Sequence, residues 1–188
     1  MKLSECTKCP LLVGSRTQII RGTGTGSNGI MIIGEAPGKD EDKGGEPFIG
    51  DSGKWVNKFL KYLDVERSEC YITNIVKCLP LFPTQIRKPK VRKPTFQEIM
   101  ECKTWLNKEI KKLKPKIIIT FGGTALECLT ELKYIMRHHG RAVKIKQYDC
   151  YVFPMLHPAT LLYNYNESMP LIKEDLKKLK GFLQWLKK

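Results

Sequence analysis

At 188 residues the chain is long enough for one domain with its own core and too short for two ordinary ones. A hydrophobic share of 41% and a charged share of 28% are those of a soluble globular protein. With 33 Lys and Arg against 19 Asp and Glu, the net charge of +14 favours a polyanion, nucleic acid before an anionic membrane, through attraction and counterion release. A Lys-rich but otherwise ordinary surface is the bland alternative.

The opening stretch MKLSECTKCPLLVG lacks the apolar core of a signal peptide, and no segment approaches the roughly twenty apolar residues that span a bilayer. The expectation is a monomer in the cytoplasm or another reducing interior, without a membrane partner. Seven cysteines in such a setting argue against a disulfide framework and for metal ligands and buried thiols.

In chain order, Cys6 and Cys9 form a C-x-x-C pair in a loop, and a Gly-rich approach, Gly22 to Gly29, leads into a strand over Ile30 to Ile33. Gly34 to Gly53 (GEAPGKDEDKGGEPFIGDSG) is too rich in Gly, with Pro37 and Pro47, for a helix or strand interior and reads as a shaped loop leaving a buried strand. Its acids Glu35, Asp40, Glu41 and Asp42 and its single ring, Phe48, suit a small planar ligand better than a phosphate; a well-capped surface turn is the alternative.

Asp51 or Ser52 caps a helix to about Leu63 whose Trp55, Phe59 and Tyr62 recur at helical spacing as a core stripe. A second strand, Tyr71 to Ile75, precedes an irregular, basic segment from Leu79 to Pro94. Thr95 to Glu98 is a capping box opening a helix to about Leu113. A third strand, Lys116 to Phe121, turns through Gly122-Gly123 into a helix from Thr124 to Leu132. Strand-like runs at Ala142 to Ile145 and Tyr151 to Met155 precede His157-Pro158, and Met169 to Lys188 is an amphipathic helix. Strands separated by helices predict one α/β domain, a three-layer sandwich around a mainly parallel sheet.

Four cysteines stand out by their surroundings: Cys6 and Cys9, Cys78 at a strand end, and Cys102 one and a half to two turns into a helix. Four thiolates from three segments suit zinc or a four-iron cluster, and spacing alone does not choose between them. Cys70, Cys128 and Cys150 read as small buried residues.

The segments GEAPGKDED, GGEPFIGDSG, YITNIVKC and HPATLL, with Cys102 between the last two, resemble the family 4 uracil-DNA glycosylases, the iron-sulfur branch of their superfamily. The resemblance runs in order from Cys6 to about Leu162. It implies a central four-stranded parallel sheet, hydrolysis of the N-glycosidic bond of uracil in single- or double-stranded DNA, and a four-iron four-sulfur (4Fe-4S) cluster on Cys6, Cys9, Cys78 and Cys102. Phe48 would then stack on the uracil and the Asn74 amide would read its O4 and N3-H. His157, as a neutral donor, would meet O2, with the backbone of Glu35, Ala36 and Pro37 beside it. Glu35 is the leading water-positioning or cation-stabilising residue and Glu41 the second, or the filler beside uracil C5; Asp40 and Asp42 fit solvated loop acids.

Two features depart from the family pattern. Between Cys78 and Cys102 the chain carries IRKPKVRKP, whose Arg87, Lys88, Lys90, Arg92 and Lys93 would meet a phosphate backbone or stay in solvent. After HPATLL the family continues with a basic residue, whereas Tyr163-Asn-Tyr-Asn follows here, and Leu161 is the expected apolar wedge into the gap left by a flipped base. No obvious lysine falls in the matched motifs, which favours a monofunctional enzyme over a Schiff-base lyase. Two rivals are a non-catalytic iron-sulfur DNA-binding module, recruiting a sliding clamp or polymerase, and a glycosylase of broader deaminated-base specificity.

Overall fold

The apolar runs of the sequence assemble into a five-stranded sheet in the computed structural model, which describes residues 2–82 and 89–187. The strands are β1 (Ile30–Gly34), β2 (Tyr71–Asn74), β3 (Ile117–Phe121), β4 (Val143–Ile145) and β5 (Cys150–Met155), in the order β2-β1-β3-β5-β4. All neighbours are parallel except β4, which pairs antiparallel with β5. β1 and β3 are buried at every position, as parallel strands covered on both faces must be.

Alternation along the strands divides the core in two. Ile30, Ile32, Ile117, Ile119 and Phe153 face one layer, which holds α3 (Asp51–Tyr62) and the last helix, α7 (Tyr165–Trp185). Met31, Ile33, Ile118 and Val152 face the other, formed by α1 (Pro10–Ser15), α4 (Phe96–Leu113) and α5 (Gly123–Leu129). The three-layer α/β sandwich is therefore present, with a short antiparallel edge strand, β4, added to the four parallel strands implied by the resemblance.

Some local expectations change. The loop after β1 contains a short helix, α2 (Lys39–Gly44), because both ends are capped: the Glu41 carboxylate accepts the Gly38 N–H, and Gly45 at φ +85° ends the turn in the left-handed region. In α3, Phe59 is buried but Tyr62 is 44% exposed, with the Lys180 ammonium 5.2 Å from its ring centre. The tail helix begins at Tyr165 rather than Met169, so Pro170 lies inside it. The capping box forms as read: Thr95 accepts the Glu98 N–H while Glu98 accepts the Thr95 N–H.

Topology places the site. From β1 the chain moves outward to β2 on one side, and β3 and β5 lie on the other, so a crevice opens at the carboxyl ends of β1 and β3. The loops after β1, β2, β3 and β5 all reach it.

Candidate active site

A cleft of about 380 Å³ occupies that crevice, lined by Glu35, Ala36, Pro37 and Glu41 after β1, Phe48, Asn74 at the end of β2, and His157 after β5. Residues expected at one site from scattered motifs thus line one cavity of ligand size.

The floor is built by close approach. Gly34 ends β1 in register with Asn74, and a Cβ on Gly34 would overlap both the Asn74 amide oxygen and the Phe48 ring. Phe48 itself has φ +55°, a left-handed conformation uncommon for a bulky residue. Arg67 holds it there, donating to the carbonyls of Pro47 at 2.8 Å and Phe48 at 3.2 Å. Gly53 completes the clamp, since any side chain at that position would run into the Phe48 carbonyl. The ring lies edge-on to Phe121 at 5.8 Å and stacked beside His157 at 6.2 Å.

Asn74 is 4% exposed, yet among the described residues its side-chain amide makes no hydrogen bond with the protein. The amide is not sealed in: among the described residues the fully enclosed polar atoms without a partner are Trp105 Nε1 and Thr120 Oγ1, so the Asn74 amide keeps an open edge on the cleft it lines. Its backbone is fixed by Lys77, whose fully buried ammonium meets three acceptors: the Asn74 carbonyl at 2.8 Å, Thr73 Oγ1, and Glu109 at 2.7 Å. Three acceptors satisfy all three donors of an ammonium, although burial still pushes the Lys77 pKa down.

His157 is the polar group opposite. The Ala159 N–H donates to His157 Nδ1 at 3.1 Å, so the neutral ring carries its proton on Nε2. Burial lowers its pKa to about 4, against an opposing pull from the Glu41 charge. The ring is a neutral donor at ordinary pH.

The two glutamates differ in what they hold. Glu41 is buried and accepts three backbone N–H groups, from Gly38 at 3.0 Å, Ile49 at 3.0 Å and Gly50 at 2.9 Å. Its carboxylate therefore shapes the loop. Glu35 is half-buried, and one of its oxygens accepts a hydrogen bond from the Thr124 hydroxyl, at the start of α5, at 2.5 Å. The other oxygen has no protein partner among the described residues. Asp42 is a correction: only 3% exposed, it accepts the Thr17 N–H at 2.9 Å, whereas Asp40 is exposed as expected.

At the rim, Leu161 is 4% exposed and packed in the core, so it is not the presented wedge; Leu162 and Tyr163, at 45% and 88%, line the mouth instead. Arg92 is another correction. Its guanidinium grips Glu98 at 2.6 and 2.8 Å and donates to the Leu81 carbonyl, which ties the basic segment to α4 and leaves little for a phosphate. Lys90 and Lys93 are exposed. Arg87 and Lys88 lie outside the described residues.

The four selected thiols share one neighbourhood. Cys9 is pushed up to about 11, by burial first and then by nearby charges that include Cys6 and Cys78; Cys102 is pushed up to about 12, by burial and then by Cys78 and Cys9. Arg16 spans the group, donating to Cys78 Sγ at 3.1 Å and to the Cys6 carbonyl at 2.8 Å. All seven cysteines are free. Among the described residues, no three His, Cys, Asp or Glu side chains draw together as ligands of a single ion.

Thr124, Arg67, Gly53 and the Lys77–Glu109 pair went unseen in the sequence. Each acts through a neighbour brought close only by folding, and none carries a local signal. The exception is Gly34, whose place at the end of an apolar strand hinted at a close approach.

Fold and cleft together define an α/β protein that presents a flat ring, a free amide and a neutral imidazole donor at the carboxyl edge of a parallel sheet. Residues 22–187 match the family model described as the uracil DNA glycosylase superfamily. The chain is 37% identical to the type-4 uracil-DNA glycosylase of Sulfurisphaera tokodaii, covering 94% of this chain and 79% of that one. It is 34% identical to the type-4 enzyme of Thermotoga maritima, over 97% and 92% of the two chains, and 34% identical to that of Saccharolobus solfataricus, over 97% and 83%. The chain belongs to the uracil DNA glycosylase superfamily, in its type-4 branch.

Proposed function

We propose that the chain is a uracil-DNA glycosylase of base excision repair that takes uracil out of the DNA stack and hydrolyses its bond to deoxyribose, leaving an abasic site. The observation that carries this reading is the convergence on one cleft of an Asn74 amide without a protein partner, a neutral His157 donor and the Phe48 ring beside it.

The chemistry follows the polarity of the cleft. Uracil stacks on Phe48 while the Asn74 amide accepts from N3-H and donates to O4; cytosine offers the opposite pattern and leaves buried groups unpaired. As the C1′–N1 bond breaks, its electron pair moves onto the base, and His157 Nε2–H steadies the charge gathering at O2. A neutral donor can do this without giving up its proton. The free oxygen of Glu35 faces the cationic sugar or orients the water that adds to C1′, and the water's second proton leaves to solvent or to the uracil anion.

Cys6, Cys9, Cys78 and Cys102 would hold a four-iron four-sulfur cluster. Their mutual influence across three segments and the Arg16 guanidinium on Cys78 suit a group that carries negative charge, and a cluster is wider than one ion, so its ligands stand further apart. When bound, it supplies a cross-link between α1, the turn after β2, and α4. Substituting Cys78 by Ser is expected to abolish iron content and lower the melting temperature.

The test is single-turnover treatment of a labelled oligonucleotide bearing one uracil, followed by alkali. Strand breaks should require uracil and fall at least a hundredfold in Asn74→Ala and His157→Ala. Intact strands from iron-loaded protein that still binds DNA would turn the assignment to a non-catalytic module. Equal cleavage of hypoxanthine or xanthine would make it a glycosylase of broader range.

A further inference from the structure

The mouth of the cleft continues into an aromatic surface, exposed at Tyr163 and Tyr165 and half-buried at Trp55, that the reaction at uracil does not use. Tyr163 lines the mouth and is 88% exposed; two residues on, Tyr165 is 49% exposed at the start of α7. The Tyr165 ring packs against Trp55 with centroids 6.0 Å apart. Trp55 lies one turn into α3, whose first residues, Asp51 and Ser52, also line the cleft. The surface is therefore continuous with the pocket along two elements.

One cation lies directly on these rings. The Lys58 ammonium sits 4.0 Å above the Trp55 ring and is exposed. Asp51, at the start of α3, is paired with Lys54 at 2.7 Å, and Glu167 is held by the Asn164 amide at 2.7 Å. The Tyr163 side chain belongs to neither core cluster, so packing of the core does not account for an aromatic residue at this position.

Flat rings beside a cation, at the edge of a base-binding pocket, suit unpaired bases that stack in succession. We propose that Tyr163, Tyr165 and Trp55, with Lys58, form a stacking track for the unpaired bases that flank uracil in single-stranded DNA. This inference rests on the glycosylase reading. The track replaces a basic phosphate grip after HPATLL with base stacking, which holds a strand whose bases have no partners and has little to offer a strand whose bases are already stacked in a duplex.

The experiment compares steady-state cleavage of three oligonucleotides with one uracil each: a single strand with natural flanking bases, the same strand with baseless spacers on both sides of the uracil, and a duplex. For the unaltered protein, spacers should raise KM about tenfold with kcat unchanged, the scale of one stacked base. Tyr163→Ala and Tyr165→Ala should each raise KM severalfold on the natural single strand while leaving kcat, the spacer strand and the duplex nearly unchanged. Tyr163→Phe should restore the unaltered KM, because stacking needs the ring and not the hydroxyl. Equal losses on all three substrates, or a KM indifferent to both spacers and substitutions, would overturn the track and leave the glycosylase intact. Failure of the unaltered protein to cleave any of the three would overturn the glycosylase reading, and the track with it.

Discussion

The Ala159 N–H occupies Nδ1 of His157 and so presents a protonated Nε2 to the cleft. With its pKa lowered to about 4, His157 stays neutral in the folded protein where an unfolded chain, near 6.5, begins to take up protons. Between these values the unfolded state binds more protons, so stability rises with pH from about 4 and is fully present above about 6.5. The span is on the order of 3 kcal/mol. Urea melts at several pH values should show this slope, and His157→Gln should flatten it.

Gly34→Ala should injure binding more than folding. The added methyl pushes at once on the Asn74 amide and the Phe48 ring, the two groups proposed to hold the base. Inhibition by free uracil should weaken tenfold or more, while overpacking costs about 1–3 kcal/mol of stability. A normal inhibition constant would mean that the floor adjusts without cost to the pocket.

The two glutamates should separate cleanly. Glu41→Gln leaves three backbone N–H groups facing an uncharged amide and should lower stability by ~1–2 kcal/mol, or several degrees in melting temperature, with a modest change in kcat. Glu35→Gln should keep the melting temperature and reduce kcat a hundredfold or more. Calorimetry beside single-turnover rates reads both, and reversed effects would exchange the two roles.

Removing one member of the Lys77–Glu109 pair leaves the other charge unmatched in surroundings that expose only 1% of the Lys77 side chain and 14% of the Glu109 side chain. Lys77→Met should cost ~3 kcal/mol by denaturant titration, and the double change Lys77→Met/Glu109→Leu should recover part of that loss. If the double variant is the less stable, the pair contributes net attraction beyond its own desolvation.

Regular elements were legible because their signals are local. The unbroken apolar runs of β1 and β3, the Thr95–Glu98 capping box and the 3.6-residue period of α7 each state their structure within a few residues. The motifs around Glu35, Phe48, Asn74 and His157 were also legible, and the parallel sheet brings them to one edge. Burial was not: Leu161 and Leu162 are the same residue in sequence, but the turn of α6 (Thr160–Tyr163) sends one to the core and its neighbour to the mouth.

By itself, the sequence determined the α/β class, most of its helices and strands, and the family motifs that the fold brings to one cleft, because hydrophobic period, capping and motif residues act over short stretches of chain. Only the tertiary structure decided which acid is free and which is a strut, which histidine nitrogen holds the proton, and that Arg92 serves Glu98 rather than a phosphate. Those outcomes depend on hydrogen-bond partners and desolvation supplied by residues far away in the chain, and neither exists until the chain has folded.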